Sequence, residues 1–366
     1  MPRTSTLVSI VAATRSYEAW IGRQVPLVRA DIAFKHEQMA LAAFPFFRAT
    51  FYRWVQQWAV CCPDLATTPK VLAVGDLHTE NFGTWRDGEG RLIWGINDFD
   101  EAYPLPYSID LIRLATSARM AIVAGALQIS AREACAAILE GYSAGINGEG
   151  RPFVLAEDHP VLRAEATSEL RDPVTFWQRM SALPALQRPP ERAVFLLRKA
   201  LRDAAPPRFV SRRAGLGSLG HPRVVAVTEL AGGLVAREAK ALVASAASWA
   251  ADPAAVPKVR YADIVDGAVR CPDPFLDVRD KWVVRRLAPD CSRIEFTVTT
   301  RENQPKLLHS MGFETANVHL GSGNRRITAV KDDLANRKRD WLKLASGVME
   351  RATLDDHAAW QRAQNG

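Results

Sequence analysis

The sequence predicts an α+β fold in two lobes, and three observations predict it. Residues 28–60 carry apolar and aromatic side chains at helical spacing. Two short apolar runs, Val71-Leu-Ala-Val74 and Leu92-Ile-Trp-Gly-Ile96, each lead into an acidic loop, the pattern of buried strands that feed a site. From 208 to 299, strand-like segments surround the glycine-rich stretch Gly215-Leu-Gly217-Ser218-Leu-Gly220.

In order along the chain, Ala30, Phe34, Ala40, Phe44, Phe47, Phe51, Trp54 and Trp58 mark the helical stretch 28–60, which Pro45 divides in two. The strand–loop–strand of 71–100 follows. Ser108 is placed to cap a helix through Ala126, and 131–144 continues helical. Residues 145–160 read as a loop, then helical pieces return at 160–182 and 190–203, punctuated by Pro184, Pro189 and Pro190. Beyond Pro206-Pro207 the pattern turns to strands at 208–213, 223–228 and 233–237, the last two joined by Ala-Gly-Gly. A helix at 238–251, strands at 281–288 and 293–299, and helices at 303–321 and 331–351 complete the chain. The resulting division is an N-terminal helical segment (1–70), a large lobe (71–205), a small lobe (206–300) and helices returning to the large lobe (301–366).

The chemistry concentrates in Gly75-Asp76-Leu-His78-Thr-Glu80-Asn81 and Ile96-Asn97-Asp98-Phe99-Asp100. Asp76 and Asn81 have the Asp-x-x-x-x-Asn spacing of a phosphotransferase catalytic loop, and Asp98 follows on the next strand, where a metal-binding Asp-Phe element belongs. Such a trio holds a divalent cation against nucleotide phosphates and orients an attacking hydroxyl. Asp and Asn after strands are also ordinary turn formers. Asp76-x-His78 further resembles the opening of metal-dependent phosphoesterase sites, but none of the seven histidines stands in the Gly-Asn-His context those sites need.

Gly215-x-Gly217-x-x-Gly220 lies between two strands, which favours a loop covering ATP phosphates over a dinucleotide-binding crossover. Arg237 comes 22 residues after Gly215, where a phosphate-binding cation belongs, with Lys240 one turn further on an expected helix. Strand alternation with Arg237 toward the cleft turns Glu238 away. The glycine loop comes 139 residues after Asp76, the reverse of the usual kinase order. The expected fold is therefore a two-lobed protein-kinase-like fold, circularly permuted so that the small lobe is C-terminal to the catalytic loop.

Composition narrows the classes. Hydrophobic residues at 48% and charged residues at 24% suit a globular protein. A net charge of +7 is mild, and basic clusters at 208–213 and 325–339 lack the interleaved aromatics of a base-stacking surface, so no nucleic-acid partner is expected. Five cysteines, odd in number and without paired metal spacing, suit a reduced, cytoplasmic setting. The N-terminal apolar stretch is short for a signal peptide, and no eighteen-residue apolar run predicts a membrane span.

Gly75 to Asn81, Asn97 to Glu101, Asp110-Leu-Ile-Arg113-Leu-Ala-Thr-Ser117, Gly215 to Gly220 and Ala316-Asn-Val-His319 together resemble the bacterial domain-of-unknown-function family 2252 (DUF2252) over nearly the whole chain. That family is grouped with protein-kinase-like and aminoglycoside-phosphotransferase-like folds. The resemblance implies that Asp76 is the catalytic base or hydroxyl-orienting group and that His78 takes a phosphate-contacting place. It implies that Asn81 and Asp98 are metal ligands, with Asp100 near a second metal, and that Asp110 supports the catalytic loop. Gly215, Gly217, Ser218 and Gly220 would cover the phosphates, with Arg237 or Lys240 as their cation. The family's usual Lys-Glu-Ala is Arg237-Glu-Ala-Lys240 here, and 241–251 holds no glutamate to pair with that cation.

The expected function is ATP- and Mg²⁺-dependent phosphoryl transfer to a small-molecule hydroxyl, or nucleotidyl transfer from the same site. A non-catalytic nucleotide-binding module and a metal-dependent phosphoesterase are the rivals. The acceptor and the oligomeric state are not written in the motifs.

Overall fold

A computed structural model describes residues 7–155, 159–160, 162–164, 172–291 and 299–365. Helices and antiparallel sheets make up an α+β fold. The N-terminal region forms four helices, Ile10–Gly22, Arg29–Leu41, Ala43–Ala49 and Phe51–Cys61. Pro45 does not divide this region. It lies in the first turn of Ala43–Ala49, where its missing N–H costs nothing, and the breaks fall at the extended Ala42 and at Thr50.

Strands β1 (Lys70–Ala73) and β4 (Tyr103–Pro106) pair as one small sheet. Strands β2 (Phe82–Arg86), β3 (Leu92–Ile96) and β5 (Phe153–Val154) form a second. β2, β4 and β5 were not legible in the sequence: β2 has Gly83 as its second residue and ends in Arg86, β4 reads Tyr-Pro-Leu-Pro, and β5 has only two residues. The helix Ser108–Val123 follows, but Ser108 is not its cap. Tyr107 holds that position without a side-chain bond, and the Ser108 hydroxyl donates instead to the Leu65 carbonyl at 3.2 Å. The helix Ala131–Asn147 begins in a capping box made by Ser130 and Glu133.

The third sheet has five antiparallel strands in the order β6-β7-β8-β10-β9: Arg208–Val210, Arg223–Leu230, Gly233–Ala241, Trp282–Leu287 and Asp277–Arg279. β7 and β8 meet in a two-residue turn with positive φ at both Ala231 (51°) and Gly232 (81°), the mirror-image turn that matches strand twist. β8 runs to Ala241, so the expected helix at 238–251 shrinks to Ala246–Ala251, joined by a second helix at Tyr261–Gly267. Pairing with β7 on one side and β10 on the other outweighs the helix propensity of an alanine-rich stretch. The expected strand at 293–299 lies, but for Thr299, outside the described residues, as does much of the helical piece at 160–182; within the latter, Pro173–Ser181 is helical.

The helix Gln304–Leu320 leaves the sheet and packs along Ala131–Asn147. The approach is backbone to backbone. A Cβ on Gly141 would meet the His309 carbonyl, and one on Gly312 the Ile138 carbonyl. The expected final helix at 331–351 is two helices, Asn324–Ala335 and Trp341–Asn365, the second packed against both Ser108–Val123 and the N-terminal helices. All five cysteines are free, and among the described residues no helix is long and apolar enough to cross a membrane.

Candidate functional site

One cavity of about 650 Å³ is bounded by the acidic loops after β1 and β3 and by the five-stranded sheet with its glycine loop. Asp76, His78, Asn81, Asp98, Asp100, Gly215, Gly217 and Ser218 all line it.

Asp76 is presented by a tight turn at Gly75, whose φ of 85° and close approach to the Glu101 carbonyl exclude a side chain. The turn is held from beneath by Asp110, fully buried, whose two oxygens accept the N–H groups of Val74 (2.7 Å) and Gly75 (2.8 Å). His319 binds the same carboxylate through Nε2 at 2.9 Å and meets the Tyr142 hydroxyl through Nδ1 at 2.8 Å. A second buried acid, Glu314, accepts the Ile96 N–H at 3.2 Å and so fixes the end of β3. Burial pushes the Glu314 carboxyl up to about 7 against the opposing pull of Asn317 and Arg270. Both acidic loops are thus bolted to the single helix Gln304–Leu320.

Asp76 Oδ1 accepts from Arg113 Nε at 2.7 Å, and Arg113 NH2 reaches the same carboxylate. Arg113 has no exposed surface and lies over the ring of Phe47, with centroid 4.0 Å away, while Phe51 and Trp54 close the cage. Burial raises the Asp76 carboxyl to about 6; Arg113 opposes the rise and the nearby Asp98 charge adds to it. Asn81 Oδ1 accepts the His78 backbone N–H at 2.8 Å, while His78 Nδ1 accepts from the Glu80 N–H at 3.2 Å, so the loop is a self-capped single turn.

Lys240 is the cation that meets the acids. Its Nζ lies 2.6 Å from both Asp100 oxygens and 3.5 Å from Asp98 Oδ1. Burial raises the Asp98 carboxyl, but Lys240, Arg285 and Arg223 overcome it and hold Asp98 low; burial and the Asp98 charge drive Asp100 the other way, upward. The expectation for Arg237 is corrected by strand parity. Lys240 and Glu238 share the cleft face of β8 with Arg223 and Arg285 of the flanking strands, so Arg237 points to the opposite face. There its guanidinium lies 4.3 Å from the Phe275 ring centroid and donates to the Ala236 carbonyl at 3.0 Å. Glu238 is fully buried and pairs with Arg223 (2.7 Å), Arg212 (2.8 Å) and Arg285 (2.7 Å).

The glycine loop comes down onto the acidic floor. A Cβ on Gly217 would lie 3.3 Å from Asp76 Oδ2 and 3.2 Å from the Arg48 carbonyl. Lys35, buried on the helix Arg29–Leu41, donates to the Gly217 carbonyl at 3.0 Å. Ser218 is turned into the loop's own bonding, with its hydroxyl toward the Gly215 carbonyl and in reach of Arg223 at 3.1 Å. Gly220 has a φ of 95° and packs on Ile32, outside the cavity lining.

Asn81, Asp98 and Asp100 bring side-chain oxygens, the donor type a hard divalent cation takes, to the same cavity, with Asn81 Oδ1 accepting the His78 N–H and both Asp100 oxygens accepting from Lys240. Among the described residues, however, no group of three His, Cys, Asp or Glu side chains has metal-holding geometry. Sequence reasoning assigned no role to Arg113, Glu314, Lys35 or His221. Glu314 and Asn317 had a readable signal, polar residues among the apolar ones on the inner face of their helix, and Arg113 stood in the Asp110–Ser117 stretch without a role; Lys35 had no signal.

No curated protein and no solved structure matches the chain. Residues 27–171, which include both acidic loops, Arg113 and Asp110, match the family described as an uncharacterized protein conserved in bacteria (DUF2252).

Proposed function

We propose that this protein is an ATP- and Mg²⁺-dependent phosphotransferase of circularly permuted, two-lobed kinase-like fold, acting on a small-molecule hydroxyl. The observation that carries the reading is the meeting in one cavity of a glycine loop in contact with Asp76, of Asn81 five residues after Asp76, and of Asp98 and Asp100, which a buried lysine on the adjoining strand reaches from behind the cavity wall. In phosphoryl transfer the protein's work is positioning and charge stabilisation, which these parts can supply.

In this reading Asp76, raised to about 6, is mostly ionised at neutral pH and accepts the acceptor hydroxyl's proton or orients it. Arg113 holds the carboxylate in place through one oxygen and leaves Oδ2 on the side of the glycine loop. Asn81, Asp98 and Asp100 would hold Mg²⁺, which supplies neutralisation of charge on the phosphate oxygens. Arg212, Arg223 and Arg285 around Glu238 line the cavity and outnumber its charge, which gives the roof the positive charge that a polyphosphate needs, while Lys240 holds Asp98 and Asp100 from behind. The pairing of Lys240 with the acids supports reading Lys240, not Arg237, as the cation of the site.

Product analysis tests the proposal. ATP turnover that yields ADP and a phosphorylated acceptor supports it, whereas AMP and pyrophosphate would mean nucleotidyl transfer from the same site. Nucleotide binding without turnover would indicate a non-catalytic module. Hydrolysis of phosphate esters without nucleotide binding would indicate a phosphoesterase, a reading weakened by the capping bond that His78 Nδ1 already makes.

A further inference from the structure

His221 follows the glycine loop immediately and lines the cavity, yet none of the motifs draws attention to it. Its side chain is almost wholly removed from solvent, with the residue 7% exposed. Its backbone N–H donates to the Ser218 carbonyl at 3.1 Å, which fixes the residue to the loop. The ring nitrogen Nδ1 is buried with no hydrogen-bond partner. Buried polar atoms are nearly always paired, and one that is not needs a reason.

The surroundings supply one. Burial, then Lys35, Lys240 and Arg223, push the imidazole down to about 3, and Asp98 only partly opposes them. The ring is therefore neutral at working pH, with one nitrogen carrying a proton. The ammonium groups nearby are engaged elsewhere, Lys35 with the Gly217 carbonyl and Lys240 with Asp100. Ammonium and guanidinium groups are donors only, so an Nδ1–H in this position would find its acceptor in an oxygen brought in from outside, and the surrounding positive charge favours an anionic one.

We propose that His221 is a ligand-contacting residue of the cavity: its Nδ1 hydrogen-bonds an oxygen of a phosphate-bearing ligand drawn between the glycine loop, Lys240 and Arg223. That the phosphate belongs to ATP rests on the function proposed above; the contact itself does not. The residue sits two positions before Arg223, which pairs in register with Lys240, so all three project from the glycine-loop end of the sheet. His221 carries no charge to the ligand. It adds direction to a site whose cations supply attraction.

Titration calorimetry on the intact protein with Mg·ATP, tripolyphosphate and adenosine, each with wild type, His221→Leu and His221→Asn, tests this. His221→Leu should lower affinity for Mg·ATP and tripolyphosphate by roughly tenfold, the loss of one ordinary hydrogen bond. It should leave adenosine unchanged. His221→Asn, whose amide can stand in for Nδ1, should recover most of the loss. Thermal melting should show the leucine variant as stable as wild type or more so, because an unpaired buried nitrogen has been removed; a merely structural histidine would instead lower the melting point. Wild-type binding of tripolyphosphate but not ATP, with His221→Leu losing it, keeps the contact and removes the nucleotide reading. Unchanged Mg·ATP and tripolyphosphate affinities in a folded His221→Leu protein overturn the proposal, as does a wild-type protein that binds neither.

Discussion

Replacing Lys240 with methionine removes the ammonium that joins Asp98 and Asp100 while keeping the length of the side chain. Lys240 is 2% exposed and contacts both Asp100 oxygens at 2.6 Å. Removing one member of a buried ion pair costs about 3–5 kcal/mol, because the remaining charge is left uncompensated. The Asp98 and Asp100 side chains retain 33% and 18% exposure, so they can partly rehydrate, and the lower end, about 3 kcal/mol, is the expected loss in urea unfolding. Millimolar Mg²⁺ should restore more stability to the variant than it adds to wild type, since it supplies charge to two orphaned carboxylates. The same variant should bind Mg·ATP roughly ten- to a hundredfold more weakly, the loss of a charge-assisted hydrogen bond worth about 1.5–3 kcal/mol. Arg237→Met is the control. It breaks a stacking contact on Phe275 worth about 0.5–2 kcal/mol and should leave nucleotide affinity nearly unchanged. A Lys240→Met protein of wild-type stability and affinity, or an Arg237→Met protein that loses more affinity than Lys240→Met, would refute the assignment of the cleft cation.

Asp76→Asn should abolish turnover in a folded protein, and wild-type kcat/KM should fall on the acid side near pH 6, where the carboxyl titrates; full activity in the variant would remove Asp76 from the chemistry. Glu101 is raised to about 8 by burial, with the Asp76 and Asp100 charges adding to it, so its folded-state pKa lies above its unfolded value. The native state then holds a proton that the unfolded chain has released, and stability should fall by up to about 1.4 kcal/mol per pH unit from about pH 5 to pH 8. Glu101→Gln should flatten that slope in urea melts, and an unchanged slope would show that another group carries it. Gly312→Ala should destabilise by about 1–3 kcal/mol, because the added methyl meets the Ile138 backbone and not a movable side chain; an unaffected unfolding midpoint would contradict the close helix contact.

The sequence was most legible where local pattern and final environment agree. Val71–Val74 and Leu92–Ile96 read as buried strands because their own side chains are apolar and nearly all are buried, and Asp76, Asn81 and Asp98 follow them into the same cavity. It was least legible at β8. Glu238-Ala-Lys240-Ala reads as helix, and ending the strand at Arg237 turned a parity question into a distance question. Extended to Ala241, the strand sends Glu238 and Lys240 to the cleft and Arg237 to the other face. The missing glutamate expected in 241–251 is a related case. The acids facing Lys240 come from Asp98 and Asp100, distant in sequence, and Glu238 is taken by three arginines. The roles of Lys35 and Arg113 were invisible for a different reason: a buried cation on an amphipathic or apolar helix is specified by its partners, the Gly217 carbonyl and the Asp76 carboxylate, and these are 182 and 37 residues away.

The central claim is that a nucleotide's phosphates enter the cavity between the glycine loop and the acids. Isothermal titration of the wild-type protein with ATP, in the presence and absence of Mg²⁺, tests it most directly. The account predicts saturable one-to-one binding that strengthens when Mg²⁺ is present and weakens in the Lys240→Met variant. Absence of ATP binding with Mg²⁺ present, or binding of equal strength in the Lys240→Met protein, would contradict it.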